Sequence, residues 1–300
     1  MEDVQRDIQQ GLAECQDAGT TLLCDIASGG VSTETLAKSE LRSIVAWELI
    51  GLDDGRLESQ WHQFTERPRE GTPLCRGWIS PHAPYSVHQR KAVELMCRHA
   101  SVMHLAESDA ETRLLTRREG PFVSFLQDLG VWNSESIGHR YGEYFEDVAD
   151  GTTPRLFVHG NHLPVETPFP SRYSLCYCPR THAAFGHPPH PFREFLSRGV
   201  RVCLGTDSLA SNPDLDILEE ARFIQRQHPD FDGETLLKMA TIHGADALGW
   251  AGECGSLTVG KSADAVAVPL PNADGDPYDL LLSSGDHGNR RTLFRGKWRS

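Results

Sequence analysis

In Val200-Arg-Val-Cys-Leu-Gly-Thr-Asp-Ser-Leu-Ala-Ser-Asn212 a carboxylate stands just beyond an apolar run. The β-branched, apolar front half is composed like a strand buried on both faces, and it stops at Gly205. A carboxylate just past the carboxyl end of a buried parallel strand is where α/β-barrel enzymes keep their chemistry. Helix capping is the plainer role for Asp207, but the helix expected near Pro213 already has Asn212 as cap and Pro213 in its first turn. Three further stretches end in the same way: His82 in Ser80-Pro-His-Ala-Pro-Tyr-Ser86, His104-Leu-Ala-Glu107, and His159-Gly160. In a strand His104 shares its face with Ala106, so Glu107 lies just past the strand end, where the chain can fold back. An imidazole and a carboxyl then flank one reacting atom. One histidine in a core strand is usually a hydrogen-bonded structural group; several at successive strand ends are harder to explain that way. Imidazoles plus a carboxylate suit Zn²⁺ or Fe²⁺ with one position open for water, whose pKa the ion would pull toward neutrality.

The elements that must position these residues alternate. Helical spacing over Asp3–Asp17 (Val4, Ile8, Leu12) stops at Ala18-Gly19, and strands are expected at Thr20–Ile26 and Leu41–Leu49. A helix at Arg56–Glu66 follows, then the run Arg76–Ser80, a helix at Val87–His99 and a strand at Ser101–Glu107. Short buried strands are expected at Arg155–Val158 and Tyr173–Cys178, with a helix at Pro191–Arg198 before the opening stretch. Helices Asp216–Gln227 and Glu234–Leu248 complete the pattern, and the stretch Asn133–Asp150 reads as polar. Regular strand–helix alternation argues for parallel βα units. No G-x-G-x-x-G follows the first strand, which disfavours a dinucleotide fold. A barrel brings every strand end to one rim, whereas an open sheet spreads them along an edge, so the barrel is preferred. Composition changes at Gly249, giving expected units of 1–250 for the barrel and 251–300 for the remnant of a small β-sandwich domain, with β-like runs at Gly255–Val268 and Leu293–Trp298.

Bulk properties exclude several classes. A formal charge of −13 argues against a nucleic-acid partner, since no basic surface would exchange for counterions. No apolar run reaches membrane-spanning length, and Met1-Glu-Asp-Val-Gln-Arg-Asp7 has neither the basic nor the apolar part of a leader. The 8 cysteines are dispersed without a C-x-x-C pair, so neither a zinc ribbon nor a disulfide framework is indicated and a cytoplasmic protein is expected. Pro-Cys-x-x-Cys does not occur either, which disfavours the cytidine-deaminase type of zinc site. His62, His88, His99, His139, His228 and His243 fall on helices or polar loops and are read as solvated or capping.

Together, His82 in its Ser-Pro-His-Ala-Pro-Tyr-Ser setting, His104-Leu-Ala-Glu107, His159-Gly160 and Gly205-Thr-Asp207-Ser-Leu-Ala-Ser-Asn resemble the amidohydrolase superfamily. The similarity is to the branch of S-adenosylhomocysteine, 5′-methylthioadenosine and aminofutalosine deaminases and triazine chlorohydrolases. It runs from about Ile8 to the C-terminus and includes Ala240-Thr-Ile-His-Gly-Ala-Asp-Ala-Leu-Gly249. The resemblance implies a distorted (β/α)8 barrel holding one divalent metal, Zn²⁺ or Fe²⁺, with His104 and Asp207 as ligands. His82 and Glu107 would touch substrate, and His159 would orient the water or the substrate. Asp207 would take a proton from water, Glu107 would protonate a ring nitrogen, and ammonia would leave. The substrate would be a small heterocycle, a purine-like nucleoside or a relative; chloride as leaving group would use the same residues. A homo-oligomer is compatible with this reading.

The sequence also departs from the family pattern. The family's first strand ends in His-x-His, which supplies two metal ligands, and no His-x-His occurs here. His159-Gly-Asn-His162 and His187-Pro-Pro-His190 have other spacings, and Thr181-His182 stands where the family has Ser-Asn. The expectation is therefore a barrel lacking its first strand, with an open seam and weak metal binding. Two further readings follow: an inactive or truncated amidohydrolase-like binding protein, and a metal-free enzyme using Glu107 and Asp207 as an acid–base pair, which a chelator would not inhibit.

Overall fold

The computed structural model describes residues 2–66, 72–145, 153–270, 274–283 and 290–299. Its centre is a 7-stranded sheet in sequence order: β1 (Leu22–Ser28), β2 (Arg42–Leu49), β3 (Cys75–Pro81), β4 (Ser101–Leu105), β5 (Arg155–His159), β6 (Ser174–Tyr177) and β7 (Arg201–Leu204). Every neighbouring pair is parallel. Between and around them run helices α1 (Glu2–Asp17), α2 (Thr33–Ala37), α3 (Asp54–Glu66), α4 (Gln89–Arg98), α5 (Asp109–Arg117), α6 (Pro121–Asp128), α7 (Pro179–Ala184) and α8 (Phe192–Ser197). After β7 come α9 (Ile217–Gln227), α10 (Gly233–Ala240), α11 (Ile242–Ala247) and α12 (Pro277–Ser283). A 3-stranded antiparallel sheet ends the chain: β8 (Ala265–Ala267), β9 (Arg291–Phe294) and β10 (Lys297–Trp298).

Strand alternation sorts the core into an inside and an outside. Ile44, Ala46, Trp78, Val102, Leu156, Val158, Cys176 and Cys203 form one cluster inside the sheet, joined by the partly buried Leu22, Cys24 and Ile26 of β1. Their alternates pack outward; Val45 and Trp47 meet Leu36 of α2 and Phe64 of α3. Cys24 on β1 and Cys203 on β7 belong to the same inside cluster, and Cys203 adds to the cost of ionising Cys24, so the first and last strands face one another and the sheet is curled into a barrel-like form. No ladder joins β1 to β7 among the described residues. Gly205 is fixed by this packing, because a Cβ there would lie 2.5 Å from the Cys176 sulfur.

The strands and the (β/α) alternation match the expectation, with differences that have local causes. Asn212 and Pro213 do not start a helix: α9 begins at Ile217, where the Asp216 side chain accepts the Leu218 and Glu219 N–H groups. The Asn212 amide instead donates to the Thr206 carbonyl and to Glu220 Oε1, both at 2.6 Å. The single helix expected over 234–248 is broken at Thr241 (φ −132°, ψ −92°) into α10 and α11. Only Ala265–Ala267 of the β-like run 255–268 pairs as a strand, and part of the polar stretch 133–150 lies outside the described residues. The small sheet is tied to the barrel by an ion pair between Arg42 of β2 and Asp264, both side chains 3% exposed. No described helix is long and apolar enough to cross a membrane.

Candidate active site

Three of the strands end in the same unusual way. Ala106 after β4, His159 at the end of β5 and Asp207 after β7 have φ of +53°, +74° and +58°, a region that side chains other than glycine rarely enter. Such backbone costs about 1–2 kcal/mol per residue, and its concentration at one rim is a mark of a functional site. The turns also change where side chains go. At β5 the inside positions are Leu156 and Val158, so alternation alone would send His159 outward; its left-handed backbone brings it beside His104, ring centroids 5.6 Å apart and nearly parallel.

His104 is held rigidly. Its backbone N–H and its ring Nδ1 both reach the His82 carbonyl, at 2.9 and 3.0 Å. A carbonyl can only accept, so Nδ1 carries the proton and Nε2 keeps its lone pair for the site, the arrangement of a metal-binding imidazole. His82 stands beside it, ring centroids 5.1 Å apart. The His82 Nδ1 pairs with Ser86 Oγ at 2.7 Å, which leaves Nε2 toward Glu48, 3.9 Å away. Burial and then His104 lower the pKa of His82, so it is neutral near pH 7.

Glu107 follows the Ala106 turn and places Oε1 3.6 Å from His159 Nε2. The turn is clamped on several sides. The Ala106 N–H donates to Glu111 Oε1 at 2.7 Å, the Ala106 carbonyl accepts the His162 N–H at 2.8 Å, and the Glu107 carbonyl accepts the Asn161 side-chain amide at 3.1 Å. His159 is 3% exposed, and burial above all, then His104, pulls its pKa down to about 3. It acts as a neutral imidazole at any pH the protein would meet. His190 supports it from behind, donating Nε2–H to the His159 carbonyl at 2.9 Å.

Asp207 is differently placed. Among the described residues its carboxylate accepts locally, from the Ser208 N–H at 2.8 Å and the Ser211 hydroxyl at 3.2 Å, and the residue is exposed. The loop beneath it is firmly built. Asn212 ties Thr206 to Glu220, a fully buried carboxylate that Arg180 pairs at 2.6 Å while also holding Asp214.

Sequence reasoning missed several rim residues. Glu48 lies on the inner face near the end of β2, paired in register with Ser80; in the sequence it is a lone acid within an apolar run that continues through Leu49 and Ile50, so no run end marked it. Phe122 of α6 stacks on Tyr85 at 4.1 Å, and Tyr85 in turn sits edge-on to His82. His182 belongs to a second group of rings: His182 and His187 lie 5.4 Å apart, and His187 Nδ1 is 3.3 Å from His162 Nε2.

The donors fit a metal only in part. His104 has the orientation of a ligand, and the exposed Asp207 carboxylate is close enough to His159 to favour that ring's charged form. Yet no three His, Cys, Asp or Glu side chains converge on one point among the described residues, whereas catalytic zinc uses three protein ligands. The second histidine group does not supply the missing donor.

The model of the amidohydrolase family matches residues 1–294. Curated relatives include aminodeoxyfutalosine deaminase of a Nitratiruptor species, 26% identical over 292 residues that cover 92% of this chain and 70% of the relative. Another is 5-methylthioadenosine/S-adenosylhomocysteine deaminase of Thermoanaerobacter pseudethanolicus, 26% identical over 295 residues, 89% of this chain and 63% of the relative. The chain thus spans under two thirds of the second relative's length. Among solved structures, Helicobacter pylori aminofutalosine deaminase superposes with a TM-score of 0.85 at 23% identity, over 99% of this chain and 77% of that one. An adenosine deaminase from Xanthomonas campestris with bound zinc gives 0.73 at 22% identity, over 99% of this chain and 70% of that one. At these identities the structural likenesses establish the fold.

Proposed function

Because the chain belongs to the amidohydrolase family, we propose that it serves as a hydrolase of non-peptide C–N bonds, a hydrolytic deaminase of a purine-like nucleoside. The observation that carries this reading is the Glu107–His159 pair at 3.6 Å on a strained, clamped turn, facing His82 and His104. Aminodeoxyfutalosine, 5′-methylthioadenosine and S-adenosylhomocysteine, the compounds for which the relatives are named, define the substrate class.

In this reading the protonated Glu107 donates to the ring nitrogen next to the amine-bearing carbon while water attacks that carbon. Asp207 takes the proton that the water loses. The adduct then carries a hydroxyl and an amino group on one carbon. Asp207 returns its proton to the amino group, the C–N bond breaks, and ammonia leaves. The hydroxyl proton passes to Glu107, so the product is the ring carbonyl and both carboxyls are reset. Neutral His159 orients the water or the substrate through its ring nitrogens, and His82 contacts the heterocycle with its Nε2, on the side where Glu48 stands 3.9 Å away. A divalent metal, zinc or iron, belongs to the reading with His104 and Asp207 as two of its donors. The described residues bring no third donor to them.

That shortage favours a second reading, a non-catalytic binding protein on the same barrel. One experiment separates them. The purified chain, supplied with Zn²⁺, is mixed with each of the three nucleosides, and ammonia release and ultraviolet change are followed alongside calorimetric binding. Turnover that Glu107→Gln removes supports the deaminase. Binding without turnover supports the second reading, and neither binding nor turnover overturns both.

A further inference from the structure

We infer that Glu111 is a positioning residue of this site: its carboxyl holds the left-handed Ala106 turn that aims Glu107 at His159. The inference rests on the reading of Glu107 given above.

Ser108-Asp-Ala-Glu111 has the form of a capping box, in which the glutamate should reach back to the N–H of the capping serine. Half of the box is present, since Ser108 Oγ accepts the Glu111 N–H at 3.3 Å. The other half is diverted. Glu111 Oε1 passes Ser108 and takes the Ala106 N–H at 2.7 Å, two residues beyond where a helix cap would use it. Glu111 is 1% exposed. Its Oε2 is enclosed, with the Tyr141 hydroxyl beside it, which also pairs with Thr112 Oγ1 at 2.8 Å.

A helix cap needs no burial of this kind. Burying a carboxyl against one N–H is costly unless it stays protonated. Burial is the largest influence on Glu111 and pushes its pKa up to about 8. The ionisable groups facing it are Glu107 on the same turn, Tyr85 after β3, and Tyr141 and Tyr144 from the 141–145 turn. The neutral acid keeps a carbonyl-type acceptor for Ala106 without setting a buried negative charge beneath the turn.

The test compares Glu111→Gln, which keeps a neutral acceptor, with Glu111→Ala, which removes it. With substrate turnover as readout, the alanine variant should lose about 100-fold in kcat, the scale of a misplacement near 1 Å, at nearly unchanged KM. The glutamine variant should restore kcat to within about threefold. Full activity in Glu111→Ala overturns the inference, and so does equal loss in both variants, which would mean that an ionised Glu111 is needed. A second readout needs no turnover: the backbone amide resonances of Ala106 and Glu107. They should move in Glu111→Ala and stay in Glu111→Gln; an unmoved Ala106 amide in the alanine variant overturns the inference even if no nucleoside is deaminated.

The pH dependence of melting serves if Glu111→Ala does not fold. A carboxyl with a raised native pKa contributes stability below its unfolded pKa, about 4.3, and that contribution is lost as pH rises through about 8. The wild type should therefore lose melting temperature over that window more steeply than Glu111→Gln. Equal slopes would overturn the neutral-acid role.

Discussion

The two sides of the rim are built on opposite principles. On the β3–β5 side, His82, His104, Glu107 and His159 are interlocked: two bonds fix His104 to the His82 carbonyl, and bonds from His162, Asn161 and Glu111 fix the Ala106–Glu107 turn. On the β7 side, Asp207 is exposed and, among the described residues, bonds within its own turn, although the loop under it is anchored through Asn212, Glu220 and Arg180. The difference teaches where geometry is stored. The β3–β5 side is set by the fold before any ligand arrives, whereas the exposed Asp207 carboxylate keeps its freedom.

The largest expected effect breaks the first side without touching stability. Glu107→Gln keeps the shape and the Asn161 bond to the backbone carbonyl, but it cannot supply a proton. Turnover should fall by about 10²–10⁴, the usual worth of general acid–base catalysis, in an ammonia-release assay. Retained activity would move the acid role away from the interlocked side and dissolve the contrast.

The second prediction compares the sides in stability. His104→Ala removes the ring donor to the His82 carbonyl, which keeps the backbone N–H of residue 104, and should cost about 0.5–1.5 kcal/mol, the net worth of one hydrogen bond. Asp207→Asn removes a solvated charge, and asparagine tolerates positive φ, so it should stay within about 0.5 kcal/mol of wild type. Denaturant midpoints at constant m-value check both. A comparable cost at the two positions would show that Asp207 is as deeply integrated as His104.

Much of this contrast was legible in the sequence, and the illegible part has physical causes. An apolar run that ends in a histidine or an acid reports the end of a buried strand, which is why His82, His104, Glu107, His159 and Asp207 could be located. Expected strands match β1–β7 within a few residues for the same reason. Backbone strain leaves no such trace: nothing in the letters Ala106 or His159 tells of positive φ, because the surroundings impose it. Glu111 was hidden by a familiar local motif whose side chain is diverted to a tertiary partner. Asn212 misled in the same way, its amide being spent on Glu220 rather than on a helix N-terminus. Glu48 and Phe122 come to the rim from elements whose spacing is ordinary, and only the curl of the sheet brings them there.

The smallest expected effect is also the most direct measure of stored strain. Ala106→Gly relieves a left-handed backbone worth about 1–2 kcal/mol but adds about 0.5–1 kcal/mol of unfolded-state entropy. The net change should lie between about zero and a stabilisation of about 1.5 kcal/mol. Ala106→Val at the same position cannot adopt φ +53° without severe crowding of its branched carbon and should destabilise by more than the glycine gains. Ala106 is fully buried, so valine also has no space into which to relax. At Asp207 the same glycine substitution should gain less, because aspartate already visits this region and its carboxylate bonds the turn. If Ala106→Gly were instead strongly destabilising, the clamp from Glu111, His162 and Asn161 could not be what holds the turn, and the interlocked side would owe its shape to packing alone.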